Sequence, residues 1–117
     1  MKAALLVGWG PIIPGREKTA AQVLDEAMHY LTAVKEQGRL DTIDVVLLEP
    51  HGGDMHGFVL LRGEQDALAR LRHEPEFLRT IVAVQLVHEK VRVTGAFTGA
   101  EMQALMQIWG EQEQRLL

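Results

Sequence analysis

Residues 45–61 read Val45-Val46-Leu47-Leu48-Glu49-Pro50-His51-Gly52-Gly53-Asp54-Met55-His56-Gly57-Phe58-Val59-Leu60-Leu61. Two apolar tetrads flank a connection rich in glycine, with one proline and one aspartate, residues that supply the torsions of turns. The stretch predicts a β-hairpin with strands at Leu40–Glu49 and Phe58–Leu61. An antiparallel sheet with one wet face alternates apolar and polar side chains, and neither tetrad does so. Their aliphatic groups go to both faces, and exposing the second set costs roughly 25 cal/mol per Å². Both faces of the sheet that contains this hairpin therefore need cover.

Working outward, Ala3–Trp9 is an apolar run closed by Gly10-Pro11 and predicts a first strand, with a loop over residues 10–18. Thr19 and Gln22 have the spacing of a capping box. Leu24, Ala27, Met28, Leu31 and Val34 then recur at helical period up to Gly38. After the hairpin, Glu64–Arg72 predicts a second helix, interrupted and restarted at Pro75 with Phe77, Leu78, Ile81 and Val82. The alternation over Val87–Val93 predicts a fourth strand that starts near His88. Thr98 and Glu101 form another capping-box pair, ahead of Met102, Leu105, Met106 and Trp109 as the buried stripe of a last helix that frays beyond Gly110.

The element order is that of an α+β fold, a ferredoxin-like βαββαβ four-stranded antiparallel sheet with a C-terminal helix, in one domain over residues 1–117. Right-handed crossovers put both internal helices on one face. A single helix of about five turns is too narrow to hide the other face of four strands, so a homodimer with sheet packed on sheet is expected. The last helix then covers an edge or reaches the partner.

The 117 residues carry a net charge of -4 and 47% hydrophobic residues, without cysteine or serine. A basic stripe for a nucleic-acid backbone is missing, so no nucleic-acid partner is expected. No apolar run approaches a membrane span. Lys2 precedes only a short apolar stretch without a small-residue cleavage site, which predicts a cytoplasmic chain. Without cysteine or serine, thiolate chemistry and a Ser-His-Asp triad are excluded.

The element order, the exit of the first helix at Glu36-Gln37-Gly38-Arg39-Leu40 and the break at Glu74-Pro75-Glu76-Phe77 resemble the dimeric α+β barrel superfamily over residues 2–97. That group includes YCII-related, antibiotic-biosynthesis-monooxygenase-like and muconolactone-isomerase-like proteins. The resemblance implies two ferredoxin-like protomers closing a barrel whose interior, or whose helix–sheet cleft, holds a small and often aromatic ligand. The histidine that YCII-related proteins carry on the inward side of the first helix falls at Ala27 here. The histidine that the haem-degrading branch carries after the break in the second helix has no counterpart in Phe77–Ile81. Glu74-Pro75 stands where YCII-related proteins show Asp-Pro, though an acidic residue there also suits a helix start.

Two residue sets could carry chemistry. Glu49, His51, Asp54 and His56 lie within eight residues. His51 or His56 oriented by Asp54 could act as a general base. The same set has the donor chemistry of a divalent-ion site, but the connection reads equally as a solvated turn, and no metal is assigned. Trp9 and Arg62 each end a strand, and those strands neighbour one another in this fold. With Glu49 they make a candidate ligand rim, in which the guanidinium could hold a carboxylate or phenolate beside the indole. His73 reads as a capping or surface residue and His88 as the polar phase of a strand. Three functions follow from these residues and the resemblance: binding of a compact apolar or aromatic metabolite at the barrel mouth, without a tightly held cofactor; cofactor-independent proton transfer by a His/Asp pair; or an interaction module with a solid barrel. A cavity of only a few tens of Å³ would favour the last.

Overall fold

The computed structural model describes residues 1–117. The chain runs β1 (Lys2–Trp9), α1 (Glu17–Glu36), β2 (Thr42–Leu47), β3 (Gly57–Glu64), α2 (Gln65–Arg72), α3 (Pro75–Val87), β4 (Arg92–Ala96) and α4 (Gly99–Leu116). The four strands form one antiparallel sheet in the order β2-β3-β1-β4. This is the expected α+β, ferredoxin-like arrangement.

Register decides which side chains share a face. Leu5 pairs with Leu61, Val7 with Val59 and Trp9 with Gly57. These residues, with Val93 of β4 and Ile43 of β2, face α1, α2 and α3. Leu61 and Leu71 are almost fully buried, and Val34 and Val87 close to it. The intervening residues line the other face, where Leu6 pairs with Leu60 and Val46 with Phe58. All four of these are only half-buried, so the two-sided apolar character of the hairpin is real, and one side of it lacks full cover within the chain.

Several boundaries differ from those the sequence predicts. α1 starts at Glu17 behind Arg16 and has no side-chain cap, so Thr19 lies inside its first turn. β2 ends at Leu47, leaving Leu48 and Glu49 in the connection, while β3 extends to Glu64. The fourth strand is Arg92–Ala96. The alternation read over Val87–Val93 is misleading because Val84 and Val87, three residues apart, belong to the buried face of α3. Beyond them, Glu89 N–H donates to Pro11 O, and Lys90 turns the chain at φ 57°. Pro75 does open α3, where its missing N–H costs nothing.

The largest departure concerns α4. It runs unbroken to Leu116 and buries no residue, although the sequence predicts a buried stripe that frays past Gly110. Met102, Met106 and Trp109 are 48%, 60% and 64% exposed. Thr98 flanks its first turn as expected, but its hydroxyl makes no cap bond and is buried without a partner. The helix is fixed near its start by Glu101, which pairs with Arg62 at 3.2 Å. The radius of gyration is 16.3 Å and the longest extent 53 Å, against about 13 Å expected for the radius of a compact chain of this size. An amphipathic helix that extends from the body with its apolar residues uncovered accounts for that elongation.

Candidate functional site

Between the helix layer and the sheet lies a cleft of about 380 Å³, lined by 20 residues of which 16 are hydrophobic. Its floor is Val7 and Trp9 of β1 with Val59 of β3, and its walls are α1 and α3. Small side chains keep it open. Ala20, Ala21 and Ala27 stand where α1 lines the cleft, and leucines at those positions would fill the space. Leu47 and Leu48 border the cleft, 67% and 37% exposed.

Trp9 is placed by the absence of a side chain opposite it. A Cβ on Gly57 would sit 2.8–2.9 Å from the indole atoms Cζ2, Cε2 and Nε1, so only glycine lets the ring cross the end of the sheet. The indole is 7% exposed and lies 5.9 Å from the His88 ring at a 44° tilt. The loop between β1 and α1 is tied down beside it. Gly10 N–H donates to Glu89 O at 2.8 Å, Ile13 N–H to Val87 O at 2.9 Å, and the Arg16 guanidinium to Leu86 O. That loop is a fixed wall.

Of the six candidate site residues, the fold brings two into the cleft, Trp9 and His56. His56 is held by its backbone, its N–H donating to Trp9 O at 2.8 Å and its carbonyl accepting from Leu48 at 2.9 Å. Its ring has no protein partner. His51 is spent inside its own loop: Nδ1 accepts from Gly53 N–H at 3.2 Å, so Nε2 carries the proton and donates to Met55 O at 2.9 Å. Asp54 turns away from both histidines to Arg92, 2.8 Å distant, and that guanidinium holds its carboxyl below the usual carboxylate range. The His/Asp pair read from the sequence is therefore not assembled. Glu49 is exposed in a shallow depression that includes His51 and adjoins the cleft through Leu48 and His56. Nowhere do three histidine, aspartate or glutamate side chains converge as a metal would need.

Arg62 leaves the rim altogether. Antiparallel neighbours place the end of one strand against the start of the next. Trp9 thus pairs with Gly57, while Arg62 pairs with Ala4 at the far end. Side-chain alternation also puts the two on opposite faces, and Arg62 pairs there with Glu101. Glu74 is likewise engaged, by Arg39.

Sequence reasoning misses His88, Glu17 and Thr80, which are the remaining polar residues of the cleft. His88 terminates α3 and bridges to Ile12, and its Nδ1 lies 3.0 Å from Gly10 O. A usable signal was the helical spacing of Val84 and Val87, which puts the next residue at the helix end, beside the first strand.

Comparison with known proteins returns structures alone. No protein-family model and no curated protein matches the chain. A DABB family protein with a ferredoxin-like fold from Mesorhizobium loti superposes with TM-score 0.65 at 12% identity, over 86% of this chain and 100% of that one. A dimeric ferredoxin-like protein of unknown function from Jannaschia sp. gives 0.62 at 17%, over 84% and 100%. SnoaB, a cofactor-independent oxygenase from Streptomyces nogalater, gives 0.56 at 13%, over 84% and 93%. This chain has the fold of the ferredoxin-like dimeric proteins. At these identities the likeness extends to the fold, and the part of this chain beyond the overlap is close to α4 in length.

Replacing Gly57 by alanine is expected to destabilise the protein by about 1–3 kcal/mol, because the indole and the new methyl cannot share the space. Chemical denaturation followed by tryptophan fluorescence in a Trp109→Phe background, where Trp9 is the sole tryptophan, reads both the stability and the displaced ring; an unchanged midpoint would contradict the packing described.

Proposed function

We propose that the chain binds a compact apolar or aromatic metabolite in the helix–sheet cleft. The observation that carries this reading is the cleft's size and lining. At about 380 Å³ with 16 hydrophobic residues of 20, it falls within the range of small-molecule sites, which are concave, mostly apolar and marked by a few placed polar groups. It is far larger than the packing defects of an ordinary core, which speaks against the solid-core alternative. The site lies between helices and sheet and not at a Trp9–Arg62 mouth. A cofactor-independent proton-transfer enzyme remains a second reading, favoured by the fold shared with SnoaB, itself described as a cofactor-independent oxygenase, and by two histidines, His56 and His88, in one apolar cleft.

The working unit of this reading is a homodimer. Leu6, Val46, Phe58 and Leu60 form an apolar patch on the face away from α1 and α3, and α4 presents a second apolar surface without cover. Two copies meeting through these surfaces remove both from water. Solved proteins of the same fold are described as dimeric. No helix is long and apolar enough to cross a membrane, so a bilayer-spanning role for α4 does not compete.

Naphthalene is expected to raise the melting temperature in a dose-dependent way, since any ligand of the native state stabilises it by mass action. Ala27→Phe, which fills the cleft from α1, is expected to abolish that rise while the protein stays folded; a rise that survives the substitution would place the ligand elsewhere. Multi-angle light scattering is expected to give twice the 13.1 kDa of one chain, and a mass of one chain at micromolar concentration would overturn the dimer.

A further inference from the structure

Three of the four polar side chains of the cleft, Thr80, Glu17 and His88, present acceptors, while the His56 ring and the Trp9 indole N–H are its donors. The Thr80 hydroxyl donates its proton to Glu76 O at 2.9 Å, leaving only lone pairs for a ligand. Glu17 is a carboxylate, which accepts only. At His88 the partner decides the tautomer: a backbone carbonyl can only accept, so the 3.0 Å contact with Gly10 O fixes the proton on Nδ1. In the neutral ring this leaves Nε2 as a bare acceptor. Nε2 has no protein partner and is not sealed from solvent.

The ring is also held in place. Gly10, whose carbonyl grips Nδ1, is itself fixed by its N–H bond to Glu89 O. A Cβ there would come within 2.7 Å of Glu89 O and 2.8 Å of Asp54 O, so the backbone around the carbonyl is tightly packed. Trp9 flanks the imidazole. No lysine or arginine lines the cleft, so a carboxylate or phosphate ligand would meet Glu17 with no cation to offset it. A ligand matched to the side formed by Thr80, Glu17 and His88 is neutral, apolar over most of its surface, and a hydrogen-bond donor there.

We infer that the cleft selects a neutral hydroxylated aromatic, a phenol or naphthol class of compound, whose hydroxyl donates to Nε2 of His88. This rests on the cleft being the ligand site, and it adds the chemical class and the residue that reads it. His88 would orient the ring through its hydroxyl.

Calorimetric titration with naphthalene, naphthol and methoxynaphthalene separates the two levels. Naphthol is expected to bind about tenfold more tightly than its methyl ether, the effect of one well-placed hydrogen bond. His88→Phe is expected to reduce that ratio to about one while naphthalene binding persists. The wild-type protein gives an independent check that needs no variant: the imidazole ¹⁵N resonance of His88 Nε2 is expected to move when naphthol is added and to stay when the ether is added. Equal affinities for naphthol and ether, a preference that survives His88→Phe, or a silent Nε2 resonance would overturn the role of His88 and leave the cleft reading standing. Failure of all three compounds to bind would overturn the cleft reading itself, and this inference with it.

Discussion

Everything that positions the candidate site depends on the close approach of Trp9 to Gly57. The two residues pair across β1 and β3, and the missing side chain at Gly57 lets the indole occupy the end of the sheet. There the ring forms part of the cleft floor, packs beside His88 and sits next to the loop that carries Gly10. A cross-strand pair with two side chains would separate these groups. The pair thus costs one residue's worth of strand packing and gains a wide aromatic surface under a cleft that α1 keeps open with alanines.

The two faces of the sheet meet their apolar demand differently. The helix face is covered by α1, α2 and α3 and holds the core, with the cleft left between α1, α3 and the sheet. The other face carries Leu6, Val46, Phe58 and Leu60 with no layer over it, and α4 leaves the body with its own apolar residues exposed. Scattered apolar side chains on a surface are ordinary, but a contiguous apolar patch marks an interface. The Arg62–Glu101 pair, about three-quarters buried at both partners, fixes where α4 departs. It holds Arg62 on the sheet face away from α1 and α3, opposite the cleft.

The hairpin at residues 45–61 made the fold legible, because two-sided aliphatic strands around a glycine-rich connection admit few arrangements. Helix period located α1, α2 and α3, and Pro75 located the break between the last two. What failed was local chemistry whose outcome depends on tertiary partners. Thr19 and Thr98 have capping spacing, yet neither hydroxyl caps a helix. Val87 and Val93 alternate like a strand although the first closes a helix. In the site, Trp9 and His56 were legible as an aromatic strand end and a loop histidine. The grouping of His51 with Asp54 was not, because proximity in sequence does not say that Asp54 turns to Arg92. His88 is far from Trp9 along the chain, and the pairing of the loop after β1 with the end of α3 joins them.

The proposal that the helix–sheet cleft holds a small aromatic molecule rests on the cleft's size and apolar lining. The most direct measurement is a ¹H–¹⁵N spectrum of the wild-type protein titrated with naphthalene. Saturable shifts of the Trp9 indole N–H and of the Ala27, Leu31 and Val84 amides are expected, with Phe58 and Leu60 on the opposite face unmoved. Shifts confined to Phe58, Leu60 or α4, with the cleft residues silent, would contradict it.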